Sequence, residues 1–159
     1  MIKIFSSIIF FYFLALYQTS FLIHYEVNGG FLNLILISII LINFFEKKEE
    51  KSGIFIGAIG GFYLDIFSPY IPGFFTLLGI AISFLIKLLK PFFETKKSIS
   101  FFIIFFTTLL FYEIVLAITT IGHNFFFNIF SFLYNLLMGA VIYFSIKFLY
   151  VFFQQKIRK

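Results

Sequence analysis

The chain has 159 residues, of which 62% are hydrophobic, 25% aromatic and only 12% charged, with a net charge of +5 and a mean hydropathy of +1.08. A soluble domain averages about 45–50% apolar and about 25% charged residues, so this chain holds more apolar side chain than one water-facing core could hide. A soluble enzyme, a secreted disulfide scaffold and a disordered chain are excluded. The absence of Cys removes thiolate chemistry and Cys-type zinc sites as well.

A membrane-crossing helix needs about 20 mostly apolar residues. Six such spans are predicted in one all-α transmembrane domain covering residues 1–159, at about 4–22, 28–45, 53–67, 73–89, 98–121 and 125–153. The first follows Lys3 like a signal peptide, but no A-x-A-like cleavage site follows at Tyr17–His24, so it reads as retained. The second ends at the charged run Glu46–Lys51. The third stops at Ser68-Pro69-Tyr70-Ile71-Pro72-Gly73, where two prolines and a glycine predict a tight turn. Lys90-Pro91 closes the fourth, Gly122-His123-Asn124 breaks the fifth, and Gln154–Lys159 ends the sixth. Spans two and three are short, so flanking residues or a locally thinner bilayer complete them.

The basic residues test this division independently, because cytoplasmic loops collect Lys and Arg. All twelve fall before span one, between spans two and three, around the turn between spans four and five, or at the end of span six. The other three connections hold none. Six spans with both termini in the cytoplasm follow, in the inner membrane. The cytoplasmic face also carries Glu46, Glu49, Glu50 and Glu94, whereas the outer half holds Glu26, Asp65 and Glu113 and no base. Such placement suits anionic lipid rather than nucleic acid, for which no basic–aromatic motif is present.

The third span is the most informative. Gly53, Gly57 and Gly61 recur every four residues, Asp65 continues the series, and Gly60 adds a second small residue. Residues four apart stack along one helix face, so a glycine stripe ends in a carboxylate. Glycines at this spacing let helix backbones approach closely in lipid, either in this protein's core or at a docking surface. Asp65 lies about 18 Å along the axis from Gly53, in the outer part of a hydrocarbon layer about 30 Å thick, with no outer base to pair with. The turn after it delivers the start of span four near Gly73, whose free N–H groups suit a carboxylate. Asp65 is therefore expected to lock the hairpin of spans three and four; the other reading is a proton- or cation-coupling acid.

Glu113 also falls in the outer half. It either shares a polar cavity or a proton with Asp65 or reaches outward to the interface. Asn135 in span six reads as an interhelical hydrogen bonder. His24 and His123 lie in outer connections without a third ligand, which suits solvated loops better than a metal site. No Ser/His/Asp set, phosphate loop, zinc motif or dinucleotide fingerprint occurs, and neither catalysis nor a cofactor is expected.

The segment Gly53–Gly79, with its glycine-rich span, Asp65, short turn, Gly73 and Gly79, resembles the signature of the rod shape-determining MreD family. The likeness in length and topology extends over essentially the whole chain. Gln18, Asn33 and Asn135 with Gly139 match polar or small positions of that family, while Leu32 stands where a proline is frequent and a proline expected near Asn135 is absent. The resemblance implies a noncatalytic subunit of the cell-elongation machinery. Its partners would be an MreC-like membrane protein and, indirectly, MreB-like filaments, a RodA-like glycosyltransferase and its transpeptidase. It also implies a six-helix fold like that of the substrate-binding subunits of energy-coupling-factor vitamin transporters, and such a transporter subunit is the alternative function.

Overall fold

The chain is described here by a computed structural model covering residues 2–25, 30–47, 50–68, 71–93, 97–119 and 128–157. Six α-helices run through these residues: α1 (Ile2–Ser20), α2 (Leu34–Phe45), α3 (Ser52–Ile66), α4 (Phe74–Leu89), α5 (Lys97–Thr119) and α6 (Ile129–Ile157). Short 3-10 turns follow α1 at Leu22–Tyr25 and α4 at Lys90–Phe93. No strand occurs among the described residues. Three segments are long and apolar enough to cross a membrane: Phe74–Phe93, Ser98–Thr119 and Ile129–Tyr150.

Of the two spans expected to be short, α3 keeps close to its predicted bounds and α2 is shorter than predicted. α2 has 12 residues and α3 has 15, or about 18 and 23 Å of helix. The predicted span at 28–45 shrinks because Asn33 takes a non-helical conformation and its side chain accepts the Leu36 N–H, making it the N-cap. Gly30 to Asn33 enter without helical structure. The first span, expected to reach residue 22, closes as α-helix at Ser20. α6 continues to Ile157, four residues past its expected end. Ends expected at 121 and 125 lie outside the described residues.

α2 is the hub. It touches α1, α3, α4, α5 and α6, and its Ile35, Leu36, Ile37, Ile39, Ile40 and Leu41 are all buried. A helix that is hydrophobic all round belongs inside a larger assembly of helices, which explains why its strongly apolar sequence shows no polar face. α3 and α4 pack most intimately of all. α5 and α6 meet through aromatic rings: Phe101 stacks on Tyr143 with centroids 3.8 Å apart. The Phe105 ring occupies the space a side chain at Gly139 would need.

Outside this core the surface is apolar. Phe5, Phe13, Leu77, Phe84, Leu137 and Phe148 are each more than half exposed, the reverse of a water-facing domain. Cross-contacts between helices gather the polar ends. Lys3 meets Glu50, Lys87 meets Glu46, and Lys147 Nζ donates to Ser98 Oγ at 2.9 Å. The described basic side chains thus converge at one end of the bundle, hereafter the basic end.

The Lys3–Glu50 contact ties α1 to the loop before α3 at 2.6 Å, with both groups substantially exposed. The Lys3 hydrogen bond holds the Glu50 carboxyl below the ordinary glutamate range, and the same bond raises the Lys3 ammonium above the ordinary lysine value. Glu50 therefore contributes stability above the unfolded glutamate pKa, and that contribution is lost as pH falls through the lowered value. Lys3 contributes below the unfolded lysine pKa and loses it as pH rises through the raised one. Lys3→Met is expected to move the Glu50 titration upward, followed by carboxyl-carbon NMR in micelles. An unmoved midpoint would show that the pair does not form.

Candidate functional site

The polar residues form three interhelical clusters, each satisfying a helix end. The first joins α3 to α4 at the end opposite the bases. Asp65, in the last turn of α3, accepts the Phe75 N–H on Oδ1 at 2.8 Å and the Thr76 N–H on Oδ2 at 2.9 Å. The Thr76 hydroxyl adds a third bond to Oδ2 at 2.5 Å. Phe75 and Thr76 are the second and third residues of α4, so Asp65 meets two of the N–H groups that every helix start leaves unpaired, at the positive end of its dipole. Gly73 makes the entry possible. It precedes α4 with φ of +91°, a conformation that residues with a Cβ rarely adopt.

Below this lock runs a backbone seam. A Cβ added to Gly61 would lie 2.7 Å from the Phe75 carbonyl carbon and from Thr76 Cα, and one added to Gly57 would lie 2.5 Å from the Gly79 carbonyl oxygen. Gly79 reciprocates against Gly57. Gly60 faces the other way, toward Ile39 of α2 and Phe11 of α1. Gly53 lies against Asn43 and Glu46. The five glycines of α3 and α4, Gly53, Gly57, Gly60, Gly61 and Gly79, are buried. Of the two uses foreseen for the stripe, this chain's own core takes it.

The second cluster surrounds the start of α2, also away from the basic end. Asn33 Oδ1 takes the Leu36 N–H, and Gln18 Oε1 from α1 takes the Ile35 N–H at 3.3 Å. Asn135 of α6 accepts the Asn33 N–H on Oδ1 at 2.7 Å and donates through Nδ2 to the Phe31 carbonyl at 3.0 Å. Asn33 Nδ2 in turn donates to the Tyr112 hydroxyl at 3.0 Å. A single amide side chain on α6 thus acts as donor and acceptor to the extended entry of α2, the role expected of Asn135. Glu113, 5% exposed, lies on α5 with the Ser131 hydroxyl of α6 as its partner. It is buried, so the outward-reaching alternative does not hold. The structure also gives it and Asp65 different partners on different helices.

The third cluster, at the basic end, was not singled out from the sequence. Glu46, just past α2, accepts the Gly53 N–H at 2.7 Å and the Ser52 hydroxyl on Oε1. Its Oε2 pairs with Lys87 of α4 at 3.0 Å, with both side chains largely buried. Lys90 Nζ donates to the Phe44 carbonyl at 2.8 Å and to the Glu46 carbonyl. Asn43, 1% exposed, donates to the carbonyls of Ile39 and Gly53 and to Ser83 Oγ. The available signal was a carboxylate directly after an apolar run, six residues before a Ser-Gly helix start. Within the Glu/Lys run it looked like solvated charge.

Glu46 and Asp65 therefore do the same job at opposite ends: each terminates one helix and caps the next. An apolar cavity lies between α2, α3, α4 and α5, lined by Leu36, Ile39, Phe75, Leu78, Ile82 and Tyr112 among others, with room for about one water. Among the described residues no group of three His, Cys, Asp or Glu could hold a metal ion. His24 is exposed; His123 and Glu26 lie outside the described residues. Comparison of the chain with protein-family models, with curated proteins and with solved structures finds no match.

Replacing Asp65 by Asn keeps one acceptor and removes the charge. Hydrogen bonds to charged groups contribute about 1.5–3 kcal/mol, and neutral ones about 0.5–1.5. Asp65→Asn is thus expected to destabilise the fold by about 1–2 kcal/mol and to make the turn between α3 and α4 cleavable by protease in detergent. Cleavage at the wild-type rate would show that the lock does not hold the hairpin.

Proposed function

We propose that the chain is a noncatalytic, MreD-like subunit of the bacterial cell-elongation complex. It crosses the cytoplasmic membrane six times with both termini inside, binds an MreC-like membrane protein, and through it helps organise lateral peptidoglycan synthesis. MreB-like filaments, a RodA-like glycosyltransferase and its transpeptidase are the indirect partners. One observation carries this reading: the residues on which the resemblance rests are those that hold the helices together. Gln18, Asn33 and Asn135 meet around the start of α2, and Gly57, Gly61, Gly79 and Asp65 join α3 to α4. The gathering of bases at one end supports the cytoplasmic placement of that end. α2 and α3 complete their crossings with the non-helical residues beside them and a locally thinned bilayer.

The alternative, a vitamin-binding subunit of an energy-coupling-factor-type transporter, would use Glu26, Asp65, Glu113 and Asn135 around a polar pocket. Asp65 and Asn135 spend their hydrogen bonds on backbone groups, which favours the scaffold. Depletion in a rod-shaped host is expected to give round cells, and the tagged chain is expected to capture the co-expressed MreC-like protein. Unchanged rods with no such capture, together with a thermal shift on adding a vitamin, would replace the scaffold by the transporter subunit.

A further inference from the structure

A carboxylate buried in an apolar layer needs a cation or several hydrogen-bond donors, and without them it takes up a proton. Glu113 has neither. It is 5% exposed, and among the described residues the Ser131 hydroxyl is its partner. The elements packed against α5 are α2, α4, the turn after α4, and α6. α2 carries no ionisable side chain. Lys87 of α4 and Lys90 of the turn are engaged at the basic end with Glu46 and with backbone carbonyls. On α6, Lys147 lies sixteen residues past Ser131 and Lys156 farther still, and on α5 itself Lys97 lies sixteen residues before Glu113. Sixteen residues are about 24 Å of helix. The other ionisable groups of these helices are the phenols Tyr112, Tyr134, Tyr143 and Tyr150. Asp65, the carboxylate of α3, is held by the start of α4.

Ser131 has one hydroxyl hydrogen and two acceptors that compete for it. Its Oγ donates to the Phe31 carbonyl at 3.3 Å, in the non-helical entry to α2, and the same oxygen meets the Glu113 carboxyl. An ionised Glu113 can only accept, so it would draw that hydrogen away from Phe31. A neutral Glu113 donates to Ser131 Oγ while Ser131 goes on donating to Phe31, and both hydrogens then have acceptors. We infer that Glu113 is a proton-binding site, whose bound proton latches α5 through Ser131 of α6 to the entry of α2. The joint it closes has little slack. A Cβ at Gly30 would lie 2.6 Å from the Ser131 backbone nitrogen, and Asn135 Nδ2 donates to the Phe31 carbonyl at 3.0 Å. Release of the proton turns the Ser131 hydroxyl toward Glu113 and leaves Phe31 with Asn135 alone. The latch therefore loosens in alkali.

Infrared spectra and unfolding of the full-length chain alone in micelles test this, so the outcome is independent of any partner protein. At neutral pH the wild-type chain is expected to show the C=O stretch of a neutral carboxylic acid. That band should disappear in Glu113→Gln and shift in frequency in Ser131→Ala, which removes the acceptor of its O–H. Between about pH 6 and about pH 9 the wild-type unfolding midpoint is expected to fall by about 3 °C more than that of Glu113→Gln. The Gln variant keeps a donor to Ser131 and has no proton to lose in this range. Absence of the acid band at neutral pH, or a band unmoved by Ser131→Ala, would overturn the proton site even if Glu113→Gln failed to fold. Parallel pH profiles for wild type and Glu113→Gln would overturn it too. So would stabilisation by sodium chloride over choline chloride that Glu113→Gln abolishes, since the carboxylate would then be holding a metal cation.

Discussion

Gly61→Ala is expected to separate α3 from α4, while Gly60→Ala, one residue away, leaves the fold intact. The difference lies in what the new methyl meets. At position 61 it runs into the Phe75 carbonyl and Thr76 Cα, backbone atoms of a helix start already fixed by Asp65. They cannot yield without moving the helix. At position 60 the nearest atoms are Cδ1 and Cγ1 of Ile39, at 2.7 and 2.9 Å, side-chain rather than backbone atoms, of which Cδ1 can swing about χ2 while Cγ1 gives by a small shift of the side chain. Overpacking of a well-filled core costs about 1–3 kcal/mol and sometimes more. Without a yielding neighbour, Gly61→Ala belongs at or above the top of that range, about 3 kcal/mol. Gly60→Ala trades a smaller clash against a helix-propensity gain of about 1 kcal/mol and is expected within about 1 kcal/mol of wild type. Reversible unfolding in mixed micelles measures both. Equal effects would mean that the two glycines share one environment, and the backbone seam would be wrong.

The contrast between these glycines also marks how far local sequence reaches. A period of four was readable, and so was the carboxylate continuing it, because both are properties of one helix. Which glycine faces α4 and which faces α2 was not, since that depends on where two other helices lie. Asp65 was legible as a cap because its target follows it by only ten residues across a proline-and-glycine turn. Gln18, Asn33 and Asn135 carry no such clue, lying 15 and 102 residues apart and meeting only when the bundle closes. The start of α2 shows a different failure. The largely apolar stretch 28–45 invited a long helix, but Asn33, whose side chain competes for backbone N–H groups, starts the helix late as its N-cap. The short α2 is tolerable because it is buried among five other helices, which hydropathy along the chain does not report.

Lys87→Met is expected to be the most damaging change at the basic end. The Glu46 carboxylate would keep its bonds from Ser52 and Gly53 but lose the ammonium 3.0 Å from Oε2. Removing one member of a buried ion pair leaves an uncompensated charge and typically costs 3–5 kcal/mol. With Lys87 about 15% exposed, the lower part of that range, about 3 kcal/mol, is expected. Glu46→Gln in the same chain removes the stranded charge while its side-chain oxygen can still accept from Gly53, so the double variant is expected to recover at least half of the loss. Neighbours that share one charge couple in this way, whereas independent sites add. The cycle, measured by unfolding in the same micelles, separates two roles for Glu46. If the losses simply add, Lys87 acts through its apolar stem and its bond to the Glu50 carbonyl. If they compensate, the carboxylate holds α2, α3 and α4 together by balancing charge, as Asp65 does at the far end against a helix dipole.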